Sequence, residues 1–215
     1  GLINGLLVVK VGVPSIISTI GTQFLWRWAA PLASGGLAQN LTAIRGTAFH
    51  EVLVGRWGGL IPAQTPWCLA LGVLLWMLLN RHSFGDAVRF IGDNIQTARM
   101  MGLAVDRVRI LIFVVMGLTA AISSVLVCLE MANWWPTHGE GYMLLVFAAI
   151  FVGGTSAFGG EGTIYGTIIG AIIIGIIEAG LISAGLSGFW TRFVYGLVLV
   201  ALVSAYSLLI KTKKD

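Results

Sequence analysis

The chain has 215 residues, 57% of them hydrophobic and only 10% charged, and its mean hydropathy is +0.92. A soluble domain carries about 25% charged residues, so this composition excludes an ordinary soluble protein and marks an integral membrane protein. The net charge of +4 does not signal nucleic acid, because the basic residues gather at the ends of apolar segments, where membrane topology places them.

A membrane-spanning helix needs about 20 apolar residues. The opening run GLINGLLVV reads as the end of a helix whose beginning is missing. Gly1 stands where a Met would begin an open reading frame, and no signal peptide is present, so an N-terminally truncated chain is expected. Lys10, Gly12 and Pro14 separate that run from a candidate span over Val11 to Trp26. Ala30 to Ala63 reads as a long external loop without assignable structure. Leu60 to Leu79 is uncharged, and Pro62 and Pro66 set the start of its helix near Pro66. Ile110 to Leu129, Gly141 to Phe158, Thr163 to Ser183 and Phe193 to Ile210 complete the set. The expectation is an all-α membrane protein of about six spans plus a partial N-terminal one, in a single transmembrane domain over 1–215. Helices are required because open backbone in lipid is too costly, and period-2 alternation is absent.

A polar island, Arg81 to Arg109, interrupts the apolar segments and holds five of the 13 basic residues. Within it, GDNIQTARMMGL has the grammar of a short helix: Asp93 or Asn94 can cap its start, and Gly102 can end it in the left-handed conformation. Ile95, Ala98 and Met101 would share one side, with Gln96 and Arg99 projecting elsewhere. That pattern suits either docking on a water-soluble partner or an ordinary loop helix.

Gly162, Gly166 and Gly170 stack small residues on one helix face, and Ala171, Gly175 and Ala179 form an adjacent stripe; both permit close helix contact, within the chain or between copies. GGTSAFGGEG, Gly153 to Gly162, lacks the Lys of a phosphate loop and reads as a broken helix end and tight turn. Thr155 and Ser156 are there candidates to meet a polar solute. Glu130, Asn133, Trp134, Trp135, His138 and Glu140 cluster at a span end. Their indoles suit either sugar stacking or an interfacial belt. Glu178 is an acid inside a span, a functional candidate by position, with Arg192 as an ion partner. Cys68 and Cys128 lack metal-ligand spacing. No nucleophile–base–acid set, metal constellation or nucleotide loop is visible, so no catalytic, cofactor or metal site is expected.

With the island placed inside, nine basic residues fall on the cytoplasmic side: Lys10, the five arginines of the island, Lys211, Lys213 and Lys214. Four fall outside: Arg27, Arg45, Arg56 and Arg192. That bias predicts this orientation, with a cytoplasmic C-terminus.

FIGDNIQTARMMGLAVDRVRI, GLTAAISS and GEGYMLLVFAAIFVGGTSAFGGEGTIYGTIIGAIIIGII together resemble the inner-membrane permease of ribose-type sugar ABC importers. The resemblance runs from about Leu2 to Ile210. It implies the later part of a ten-helix permease of a bacterial inner membrane, distantly similar to the vitamin B12-type, or type II-like, importers. It also implies a second permease subunit, identical or related, a periplasmic substrate-binding protein, and a cytoplasmic ATPase that binds the ATP, so this chain would be no enzyme. By resemblance, 81–109 is the coupling segment, with Gly92, Asp93, Asn94, Ala98, Arg99 and Gly102 on the ATPase. From the residues themselves, Thr155, Ser156 and Glu178 are the candidates to line the path, and Glu130, Asn133, Trp134 and Trp135 the candidates for the periplasmic contact. Glu161 departs from the family, which often has a basic residue there. Branched-chain amino-acid permeases share the broader plan. An ion-driven secondary transporter, or a scaffold that transports nothing, is the alternative of another class.

Overall fold

The computed structural model describes residues 1–156 and 159–212, with the side chains of 202, 203 and 205–212 outside the description. The chain is mostly helical. In order, its elements are α1 (Leu2–Leu6, extended by a π-helical turn to Val11), α2 (Ser15–Ser34), β1 (Gln39–Asn40), α3 (Ala48–Val54), β2 (Arg56–Trp57) and β3 (Ile61–Pro62). Then follow α4 (Gln64–Asn80), α5 (Ser83–Asp93), α6 (Ile95–Met100), α7 (Val105–Met131), β4 (Asn133–Trp134), α8 (Tyr142–Val152), α9 (Ile164–Ser183) and α10 (Gly188–Thr212).

The elements form two units. The first comprises Gly1–Val73 and Gln96–Gly139. In it α1 lies against α7: a Cβ at Gly5 would stand 3.1 Å from the Ile110 Cα, and one at Gly117 would stand 2.8 Å from the Gly1 Cα. Backbones this close pack without side chains between them. The Asn4 side-chain Oδ1 accepts hydrogen bonds from Thr22 Oγ1 at 2.7 Å and Ser18 Oγ at 3.4 Å, tying α1 to α2. The expected break near Lys10 is present, with Gly12 left-handed and Pro14 preceding α2.

The loop expected over Ala30 to Ala63 is shorter and more ordered than its composition suggested. Helix α2 runs on to Ser34, through Pro31. The Thr47 hydroxyl caps α3 by accepting the His50 N–H at 3.3 Å. Strands β2 and β3 close a small hairpin, and β1 pairs antiparallel with β4, Gln39 opposite Trp134.

The second unit comprises Leu74–Ile95 and Glu140–Asp215. Its core is Ala148, Ala149, Ile174 and Tyr195, flanked by Leu145, Val152, Ile177 and Val198. Small residues bring α8 and α9 together: a Cβ at Gly166 would collide with the Gly153 carbonyl oxygen, and one at Gly170 with that of Ala149. The first small-residue stripe is therefore spent on packing inside the unit. In the second stripe Gly175 has open space beside it, and Ala171 and Ala179 are exposed.

By length and composition, two helices among the described residues can cross a membrane, α7 and α9. A third is possible if α4 and α5, bent by 70°, form one broken span. Six were expected over the whole chain; α10 enters this count only as far as Ala201. The candidate span Gly141 to Phe158 yields only the 11 residues of α8. It stops because Gly153 caps it and Gly154 takes φ +79°. Ala157 and Phe158, like Lys213 and Lys214, lie outside the described residues, as does the side chain of Lys211.

Candidate functional site

The polar island folds into two helices where one was expected. The His82 Nδ1 accepts the Phe84 N–H at 3.0 Å and starts α5. Gly85, Ala87 and Ile91 are its buried residues. Asn94 is extended, at φ −154° and ψ 110°, and joins α5 to α6. In the second unit, a Cβ at Gly92 would stand 2.8 Å from the Gly160 nitrogen, and one at Gly160 would stand 2.5 Å from Asp93 Oδ1. Gly92 thus presses on the turn that follows α8 backbone to backbone, and Asp93 meets it with its side chain.

In the first unit α6 ends as its sequence requires. Leu103 N–H bonds to Ala98 O at 3.1 Å and Gly102 N–H to Arg99 O at 3.0 Å, around a left-handed Gly102 at φ +79°. This paired closure is the Schellman motif. Arg99 Nη2 meets Asp106 Oδ1 at 3.4 Å. Of the face expected to dock outward, Ala98 is buried, at 1% exposure, while Ile95 and Met101 are exposed. The exposed apolar side chains of this stretch are Ile95, at 40%, Met101, at 58%, and Met100, at 81%.

The cluster at the end of α7 is partly satisfied within its own unit. Gln64 Nε2 donates to Glu130 Oε2 at 2.8 Å. Asn133 and Trp134 are the residues of β4, and the edge of Trp135 packs on His138 with ring centroids 4.3 Å apart. Both ring nitrogens of His138 are buried without hydrogen-bond partners.

Thr155 and Ser156 sit in the turn between α8 and α9, where Thr155 N–H bonds to Ile150 O at 3.2 Å and Ser156 N–H to Glu161 O at 3.0 Å. Glu178 is not beside them. Fourteen residues separate it from Ile164 at the start of α9, about 21 Å along the helix.

Glu178 lines instead a cavity of about 330 Å³ with Arg192, Tyr195, Thr191 and Glu140. It exists because α8, with 11 residues, is shorter than α9, with 20. Glu178 and Arg192, read from sequence as ion partners, both line this cavity, and among the described residues no ion pair between them is seen. Tyr195 and Thr191 carried no signal in sequence reading, because one Tyr and one Thr in an apolar helix are unremarkable. The spacing Thr191–Arg192–Tyr195, with Glu178 on the preceding helix, was the signal that could have found them.

The arrangement is that of a helical integral membrane protein with a polar cavity among apolar helices. The chain belongs to the family described as branched-chain amino acid transport system / permease component, whose model matches residues 1–203. It is similar to the autoinducer 2 import system permease of Klebsiella pneumoniae, 34% identical over 94% of this chain and 58% of that protein. It is 35% identical to the ribose import permease of Bacillus subtilis, over 93% of this chain and 62% of the relative. It is 34% identical to the L-arabinose transport system permease of Escherichia coli, over 94% and 60%. The chain thus spans less than two thirds of the length of these relatives. No solved structure matches it significantly.

Proposed function

We propose that this chain is part of the permease subunit of an ATP-driven ABC importer for a sugar or polyol. The observation that carries this reading is the 34–35% identity, over nearly the whole chain, to permeases named for ribose, L-arabinose and autoinducer 2 import. In this reading about six of its segments enter a bacterial inner membrane, the C-terminus is cytoplasmic, and the full permease has about ten helices of a type II-like plan. A cytoplasmic ATPase docks on 81–109 and binds the ATP. A periplasmic substrate-binding protein meets the Glu130–Trp135 end of the chain. A second permease subunit completes the path.

The exposed Met100 and Met101 support α6 as the docking element, since unbranched apolar side chains adapt to a partner groove. The family description itself favours a second reading, a branched-chain amino-acid permease. The test is uptake by the complete permease reconstituted with its ATPase and binding protein. ATP-dependent uptake of a pentose, hexose or polyol is expected. Uptake of leucine alone supports the second reading, and uptake driven by a proton or sodium gradient without ATP excludes both.

A further inference from the structure

We propose that the cavity between α8, α9 and α10 is a binding site for a small neutral polyhydroxylated solute, a station on the route through the permease. The proposal rests on the sugar-importer reading above and adds to it the residues that recognise the substrate.

Four features carry it. First, the Tyr195 side chain is buried, at 4% exposure, and its hydroxyl has no hydrogen-bond partner. The Glu178 carboxylate lies beside that hydroxyl, yet no bond of good geometry reaches it. A buried polar group left unsatisfied costs free energy and calls for an explanation, such as a ligand. Second, the groups around it are complementary in kind. Glu178 only accepts, Arg192 only donates, and Tyr195 does both. The Thr191 hydroxyl donates to Gly188 O at 2.7 Å and keeps its lone pairs for an incoming donor.

Third, the cavity is open to helix ends. Gly141, at φ +92°, precedes α8, and no side chain caps that helix. Its first-turn N–H groups add donors at the same place. Gly141 also admits Arg192, whose Nε would stand 3.6 Å from a Cβ built there. Fourth, Tyr142 and Phe189 line the cavity as well, both exposed, at 48% and 79%. They offer apolar faces beside the buried Tyr195 and Thr191. The volume of about 330 Å³ falls at the small end of ligand sites.

This set favours a polyol over an amino acid. Each sugar hydroxyl donates and accepts, so one molecule can satisfy the carboxylate, the guanidinium and the phenol together. A branched-chain amino acid can pair its charges with Glu178 and Arg192. Its aliphatic side chain, pushed inward, then covers the Tyr195 hydroxyl and leaves it unbonded.

The experiment uses the complete permease assembled with its ATPase and binding protein, lacking Cys68 and Cys128 and carrying Phe189→Cys as a reporter. Maleimide labelling at position 189 is measured with a panel of free pentoses, hexoses and polyols, including D-ribose and L-arabinose, and with L-leucine. At least one member of the sugar panel is expected to slow labelling threefold or more, and leucine is expected to do nothing. Tyr195→Phe, which keeps the ring in the core, and Glu178→Gln should each remove the protection and lower uptake of that sugar at least threefold. Sugar uptake at the parent level in Tyr195→Phe, Glu178→Gln and Arg192→Gln, with no protection at 189, overturns the site and leaves the importer reading standing. Absence of uptake of every sugar in the panel by the parent overturns that reading, and the proposal with it. Protection by leucine alone overturns the polyol assignment.

Discussion

Ala98 shows how burial changes what a residue can test. Its small side chain between Ile95 and Met101 suggested a contact face, but it is 1% exposed, inside the chain itself. Ala98→Glu would bury a carboxylate without a partner, which costs several kcal/mol, so loss of folded permease in detergent is expected before any defect in ATPase binding. Met100 is the residue that tests docking, being 81% exposed. Met100→Glu should leave expression and thermal stability at the parent level, within about 0.5 kcal/mol, and reduce co-purification of the ATPase. Retained co-purification and retained substrate-stimulated hydrolysis in that variant would remove α6 from the coupling role. Arg99→Ala should cost less than about 1 kcal/mol of stability, since its pairing with Asp106 is solvent-exposed; a larger fall in melting stability would show that the pair does more. The turn chemistry at Gly102 was legible because only glycine takes its φ of +79° cheaply. The inward turn of Ala98 was not, because helical spacing shows which residues share a face and not what covers that face.

At the scale of elements, the long apolar helices were readable and the interrupted ones were not. Ile110 to Leu129 and Thr163 to Ser183 announce α7 and α9 through uninterrupted length. Helix α5 carries apolar residues at helical spacing in Phe84, Ala87, Val88 and Ile91, but Gly85, Asp86, Arg89 and Gly92 between and beside them make so short a pattern hard to tell from a polar loop. Helix α8 was read as a full span because Ile150 to Val152 run apolar into Gly153, and glycine pairs mark a stop only when the turn beyond them is known. The four-residue glycine spacing of α9 was legible as a packing face, but its partner, α8, was not. Gly166→Leu tests that partnership. Even the first carbon of the new side chain meets the Gly153 carbonyl, and overpacking costs roughly 1–3 kcal/mol or more. A marked loss of thermal stability in detergent is expected. Gly175→Leu is the control, since nothing lies within 4 Å of a Cβ there; it should leave folding of the isolated subunit near the parent level. Equal stability of the Gly166 variant and the parent would mean that α8 and α9 do not pack through this stripe.

At the scale of the whole molecule, composition alone established a membrane protein, because 10% charged residues cannot cover a soluble surface. The division into two units was not legible, since α4 contributes residues to both and no composition shift marks the boundary within it. Orientation rests on a bias that counts Lys213 and Lys214, outside the described residues, and so needs its own test. Helix α7 supplies it. With 27 residues it is about 40 Å long, more than the roughly 30 Å hydrocarbon core of a bilayer, so Gln96 before it and Thr137 after it must lie on opposite sides if it spans. Both positions are exposed. In a background with Cys68→Ala and Cys128→Ala, Gln96→Cys should react with a membrane-impermeant maleimide only in inverted vesicles, and Thr137→Cys only in intact cells. The arginines that precede and open α7 in sequence, Arg99, Arg107 and Arg109, are the physical reason, because basic segments resist translocation. The reverse pattern would turn the island outward and remove it from any cytoplasmic ATPase. Labelling of both positions from one side would show that α7 does not cross the membrane.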